Sequence, residues 1–209
     1  MTNTLSNFKS TLIGGGARPN LFQVDLYTEK TTTTTNSTND VLKNLPDSFP
    51  ILCKAAALPA SNIGSIDVPF RGRIFKVAGD RTFDTWTVTI INDEDFGIRN
   101  AMELWMQKIG QYSDGSGASK PEDYMCNAIV KQLKRSASTT GKGNVSGTGL
   151  APATQYKFYD IFPTNISAID LSYESTDQIE EFTVEFQVQY WTAGTGSDNG
   201  SDLTNTKIS

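Results

Sequence analysis

The 209 residues contain no histidine, which removes the commonest general base near neutral pH and the commonest transition-metal ligand together. A hydrolytic triad or an imidazole-built zinc site has no material here. Cysteine is nearly absent too. Cys53 and Cys126 stand far apart with no C-x-x-C spacing, and they read as two buried thiols rather than a metal pair or a disulfide. No run approaches the roughly 18 apolar residues of a membrane-spanning helix, so no membrane partner is expected. The opening Met1 to Ser10 is polar and lacks the apolar segment of a secretory signal, so the sequons at Asn36, Asn144 and Asn165 carry no weight. Positive charge is also short, with 18 Lys and Arg against 23 Asp and Glu and a net charge of −5. Tight binding to nucleic acid through phosphate neutralisation is thereby excluded.

What is present is aromatic and alternating. Eleven Phe, seven Tyr and three Trp, within 37% hydrophobic residues, suffice for the core of one β-sandwich or barrel but are few for a helical protein. Phe22, Val24 and Leu26 alternate with Gln23 and Asp25, a half-buried strand. In Thr82 to Asn92, Trp86, Val88 and Ile90 lie on one face and Thr85, Thr87 and Thr89 on the other. From Glu181 to Trp191, Phe182, Val184, Phe186, Val188 and Tyr190 alternate with Thr183, Glu185, Gln187 and Gln189. Further strands are expected from Tyr124, at Gln155 to Phe162 and at Ser167 to Tyr173. Phe49 to Pro59 and Ile66 to Ala78 read as a long hairpin, with Gly79 and Asp80 as a turn.

One helix is expected. Asp93 offers a cap, Glu94 and Asp95 complement the helix dipole, and Ile98, Ala101, Met102, Trp105 and Ile109 form an apolar stripe ending at Gly110. The segments Thr31 to Asn39 and Ser136 to Gly149 are low-complexity Thr, Ser, Asn and Gly, and read as surface loops. The chain thus divides into one β domain over 1–191, with insertions near 29–48 and 136–153, and a polar tail over 192–209.

Catalytic chemistry finds no support in the motifs. Asp93, Asp95, Glu174, Glu180 and Glu181 could supply a carboxylate pair for glycoside cleavage, but the first two suit a helix start and the others a solvated connection. The glycines at 14–16 and around Lys142 lack the spacing of a phosphate-cradling loop, so no cofactor is expected. Trp86, Trp105 and Trp191 could form a sugar-stacking platform, although their positions favour core packing.

Several strings occur in an order that resembles the tail tube proteins of contractile-tailed bacteriophages. They are Ala17 to Val24, Cys53 to Ala55, Leu58 to Ala60, Val77 to Asp84 continuing through Trp86 to Thr89 and on to Asn92 and Asp93, Ala128 to Val130, Pro163 to Asn165, and Tyr190 with Trp191. The tube proteins of type VI secretion share the resemblance. It implies a mainly β fold, a sandwich or barrel with one flanking helix and long loops, assembling into hexameric rings that stack into a hollow tube. Its implied partners are other copies of the chain, a tail sheath, a tape-measure protein, a baseplate, and DNA passing through the lumen. The implied location is the virion tail, assembled in the host cytoplasm. Phe162 stands where that family usually carries Trp before the proline, and the loops are longer than its core.

Joined to this resemblance, the two-faced strands yield expectations about surfaces. Thr85, Thr87, Thr89, Thr183, Glu185, Gln187 and Gln189 are expected to face the lumen as a neutral-to-acidic wall past which DNA slides. Ser61, Asn62, Ile63, Gly64, Asp80 and Arg81 are expected at the contact between rings, with an ion pair between subunits at Gly79 to Arg81 weighed evenly against a turn within the chain. Two other readings stay open, a carbohydrate-binding β-sandwich and a tube of a contractile injection particle.

Overall fold

A computed structural model describes residues 5–12, 16–28, 42–134, 152–174 and 176–195. The segments Thr31 to Asn39 and Ser136 to Gly149 and the glycine-flanked Lys142 lie outside the described residues. The elements in order are α1 (Leu5–Thr11), β1 (Phe22–Tyr27), α2 (Phe49–Leu52), β2 (Cys53–Ala56), β3 (Ser61–Phe70), β4 (Arg73–Phe83), β5 (Trp86–Ile91), α3 (Gly97–Ile109), β6 (Cys126–Leu133), β7 (Pro152–Ile166), β8 (Glu181–Gln187) and β9 (Tyr190–Thr195).

Seven strands form one antiparallel sheet in the order β1-β6-β7-β8-β5-β2, with β9 also paired to β7. The first half of β7 carries β6 and β9, and its last residues carry β8. Between them Asp160 takes a positive φ of 53°, and the pairing with β6 shifts by a residue. A bulge bends its strand and strengthens the local twist, which is how a strand passes from one sheet layer to another. The buried Asn127 fixes this corner, because its Oδ1 accepts the Asp160 N–H at 3.0 Å. Beyond the corner the sheet folds over until its terminal strands β1 and β2 touch. The result is the open barrel that the alternating strands imply.

The interior is filled chiefly by one face of the strands β1, β5, β6, β7 and β8. Val24, Ala128, Val130, Phe158, Ile161, Phe182, Val184, Phe186, Trp86, Val88 and Ile90 are all buried. Trp86 stacks on Phe158 at 4.6 Å between ring centroids and lies 5.4 Å from Phe186. Its indole N–H donates to the Ala57 carbonyl at 2.9 Å, which satisfies the polar edge of a fully buried ring. α3 closes the barrel with Ile98, Ala101, Met102 and Trp105, and Trp105 donates to the Tyr124 carbonyl at 2.6 Å. The helix starts four residues after Asp93, yet Asp93 still serves it, accepting the Gly97 N–H at 3.1 Å.

Four expectations need correction. Ser167 to Tyr173 is not a strand; only Ser167 stays attached, donating its N–H to the Thr183 carbonyl at 2.8 Å. Glu181 to Trp191 is broken at Val188 and Gln189, opposite the corner in β7, and β9 resumes the same register, with Gln187 opposite Phe162 and Tyr190 opposite Tyr159. Strand pairing therefore continues to Thr195, past the point where composition placed a polar tail. The hairpin is also displaced. Phe49–Leu52 is a turn of helix and β2 belongs to the sheet, while the long hairpin is β3 with β4, turning at Arg71 and Gly72 rather than at Gly79 and Asp80.

Cys53 and Cys126 are buried thiols not joined in a disulfide. Burial without a compensating charge pushes the Cys53 thiol up to about 12, so it stays protonated and inert. Alkylation at pH 8 should label Cys53 only after unfolding; rapid labelling of the native chain, followed by peptide mapping, would contradict this burial. Asn127→Ala leaves the Asp160 N–H without its acceptor and should cost about 1–3 kcal/mol, read as a lower urea midpoint with the m-value unchanged.

Candidate functional site

Two surfaces outside the core stand out. The first is the outward face of β5 and β8. The register sets Thr87 opposite Glu185 and Thr89 opposite Thr183, with Gln187 continuing the row opposite Phe162 of β7. These five polar residues are half-buried neighbours on one face, and the other face of the same strands holds Trp86, Val88, Ile90, Phe182, Val184 and Phe186. Directly opposed side chains on one face lie within about 5.5 Å at Cβ, so the row is a continuous strip. Thr85 precedes β5 and Gln189 follows β8; both are exposed and stand at the end of the strip rather than within it. Lys54 closes the other end by pairing with Glu181.

The second surface is the hairpin. β3 and β4 contribute nothing to the core and are exposed along almost their whole length. Their register places Ile66 opposite Val77 and Val68 opposite Phe75, with Phe70 next on the same face, so five apolar side chains form a solvent-facing stripe. The reverse face carries the Asp67–Lys76 ion pair at 3.4 Å and Ile74 beside Pro69. The turn needs positive φ at both central residues, and Arg71 (46°) and Gly72 (81°) supply it.

Ser61, Asn62 and Ile63 pair with Phe83, Thr82 and Arg81 at the root of this hairpin, so the structure brings together the residues expected at ring contacts. Gly79 and Asp80 are not a turn. They oppose the single Gly64 in a bulge, and a Cβ at Gly79 would stand 3.2 Å from the Gly64 carbonyl carbon and oxygen. Asn62 donates to Asp84 at 3.1 Å, and Phe83 packs edge-on to Trp191 with 6.2 Å between centroids, which anchors the root to the barrel. The apolar stripe itself escaped the sequence reading, although the alternation of Ile66, Val68 and Phe70 signals it.

The alternative chemistries lose their geometry. Trp86 and Trp105 are buried, and Trp191 is half-buried between Phe83 and Tyr156, so these rings form no exposed sugar platform. Asp93 is spent on a helix start, Glu180 accepts from Asn92 at 3.0 Å, and Glu181 holds Lys54.

The site is thus a barrel with one polar outward strip and an exposed apolar hairpin that adds nothing to its core. The family model for the phage tail tube protein matches residues 17–194, and the chain belongs to that family as a structural component of the virion tail. It is 35% identical over 179 residues to the tail tube protein gp19 of Enterobacteria phage T4, covering 85% of this chain and 92% of that one. It is 23% identical to the tail tube protein of Serratia phage KSP90, covering 88% and 93%. Among solved structures, a chain of the anti-feeding prophage baseplate, 6-fold symmetrised, matches with a TM-score of 0.57 at 13% identity, covering 85% of this chain and 95% of that one. A chain of the anti-feeding prophage tube-terminating cap gives 0.54 at 15%, covering 86% and 91%. These structures share the fold.

Gly79→Ala should loosen the hairpin without touching the core. Amide hydrogen exchange across Ile66–Val77 should accelerate about tenfold, while the urea midpoint of the barrel stays put. An unchanged exchange pattern would show that Gly64 yields freely.

Proposed function

We propose that six copies close into a ring and that rings stack into a hollow tube through which DNA leaves the particle. The observation that carries this reading is the polar strip of Thr87, Thr89, Thr183, Glu185 and Gln187 on the back of strands whose other face is core. A tube wall requires sheets of this kind, apolar toward the subunit interior and wet toward the lumen. Thr85 and Gln189 extend the strip at its end. The wall has little to hold a phosphate, since Lys54, at the strip's edge, is neutralised by Glu181. Six copies at −5 each give about −30 per ring, a field that repels DNA. Six-membered symmetry draws support from the fold likeness to a chain of a 6-fold symmetrised baseplate.

The hairpin joins one ring to the next. Ser61 to Gly64, with Asp80 and Arg81, set its angle at the root, and the apolar stripe beyond them is covered by the neighbouring copy. A sheath surrounds the tube, a tape-measure protein occupies the lumen before DNA does, and a baseplate terminates it; assembly takes place in the host cytoplasm. The chain performs no catalysis. Phage cargo is favoured over the protein cargo of an injection particle by the 35% identity to a phage tube protein.

Negative-stain microscopy of the purified chain at high concentration tests the reading, with rings or hollow tubes expected; a monomer that binds glycans would overturn it. The wall has its own test. E185K/Q187K replaces one carboxylate and one amide by ammonium groups, adding about three positive units per copy. Particles carrying it should form tubes yet eject DNA more slowly, and the slowing should fade as salt is raised. Normal ejection kinetics would place this face away from the lumen.

A further inference from the structure

The hairpin tip needs a receptor, and the chain carries a complementary surface at its opposite end. Phe70 and Ile74 are each 65% exposed beside Arg71 and Arg73, so the tip is both apolar and cationic. Over Ser61–Phe83 four cations stand against two carboxylates, in a chain that is acidic overall. The connection from β7 to β8 has the reverse character. Residues 167–181 hold five carboxylates and no Lys or Arg, and within them residues 168–173 and 178–181 line an open cleft of about 610 Å³. Leu171 and Ile179 line it at 79% and 72% exposure, with Tyr173 fully exposed beside them. Among the described residues no cation pairs with Asp170, Glu174 or Asp177.

The topology puts these features at opposite ends of the same strands. The hairpin returns through Phe83 into Trp86, the first residue of β5, opposite Phe186 near the end of β8. The cleft lies at the other end of β5, where Ile91 faces Glu181 and Asn92 donates its backbone N–H to the Glu180 carbonyl at 2.9 Å. β5 spans about 20 Å and the ten-residue β3 adds a reach of roughly 30 Å. The tip residues of one copy are exposed and do not line its own cleft, and a copy placed in line brings its tip to the next copy's cleft. Such a head-to-tail contact repeats without closing on itself, which is the symmetry a stacked assembly requires.

We propose that the cleft formed by Asp170, Leu171, Tyr173 and Ile179 receives the Phe70–Ile74 tip of a second copy of this chain in the adjoining ring. The proposal rests on the stacking role of the hairpin and adds its receptor. Phe70 and Ile74 cover Leu171 and Ile179, while Arg71 and Arg73 meet Asp170 and Glu174.

Reciprocal charge reversal tests this, read by sedimentation of the purified full chain over a concentration series at low salt. R71E/R73E and D170K/E174K alter exposed residues outside the core, and unchanged far-UV spectra should confirm that both fold. Each variant alone should need about tenfold more protein to associate, and mixing the two should restore association to within about threefold of the unaltered chain. If R71E/R73E weakens association while D170K/E174K does not and mixing restores nothing, the hairpin keeps its stacking role but docks elsewhere. If R71E/R73E associates normally, or the unaltered chain stays monomeric throughout, the stacking role and its receptor both fall.

Discussion

Among the described residues β7 is the only strand that pairs with members of both layers, and the arrangement of the others follows from how it bends. Its first half must hold β6 and β9 and its last residues must hold β8, so the chain has to turn a corner without losing its ladder. Asp160 does this in a backbone region that few non-glycine residues occupy, and the conformation persists because Asn127 reaches across from β6 to satisfy the freed N–H. The partner strand breaks at the same place, at Val188 and Gln189. Val188 and Ile161 are buried beside this bend, so it is fixed from inside by packing and from the backbone by one side-chain hydrogen bond. Without the fold-over, Phe158 could not stack on Trp86, and the two apolar faces would have nothing to cover them.

Folding and the proposed assembly rest on different parts of the chain. The barrel buries its apolar faces within itself, whereas the hairpin exposes Ile66, Val68, Phe70, Phe75 and Val77 together. A lone two-stranded hairpin is marginal in water, and nothing in the barrel core depends on this one. Full burial of such side chains is worth about 1.5–3 kcal/mol each before the cost of association is subtracted. In the proposed stacking, five of them would make a contact that is weak between two copies and substantial when repeated around a ring. A subunit built this way can stay soluble until its neighbours are held in place.

The regular elements were legible because their side-chain periods are strict. The alternation at Phe182 to Val188 and the stripe from Ile98 to Ile109 each name a buried face, and the structure buries those residues, Ile109 only in part. Parity also separated Thr87, Thr89, Thr183 and Glu185 from the core, but only the register shows that Thr87 stands against Glu185 and Thr89 against Thr183. The failures have equally local causes. Gly79 and Asp80 carry a turn signature, yet the glycine stands in a bulge where a Cβ would come within 3.2 Å of the Gly64 backbone. The true turn at Arg71 lacks the Asn or Asp that would have announced it. β9 was missed because its ladder on β7 is made by backbone groups, to which the polar composition of Thr192 to Thr195 is irrelevant. The cleft escaped entirely, since Asp170, Tyr173 and Ile179 come together only when an irregular loop folds.

On the proposed reading, the polar strip works through what it withholds. DNA adheres where cations replace its counterions, so a conduit needs a surface that offers none and that does not replace them with bare hydrocarbon. Threonine and glutamine meet both demands, because they hydrate readily and carry no charge. Lys54 would be the exception at the edge of this strip, and Glu181 cancels it through an exposed ion pair that contributes little stability. An interaction of so little value to folding is better understood as a neutralising device. Glu185 is then the charge left uncompensated in the middle of the strip. If the strip lines the lumen as proposed, its repetition from copy to copy would make a wall that repels phosphate gently and everywhere alike.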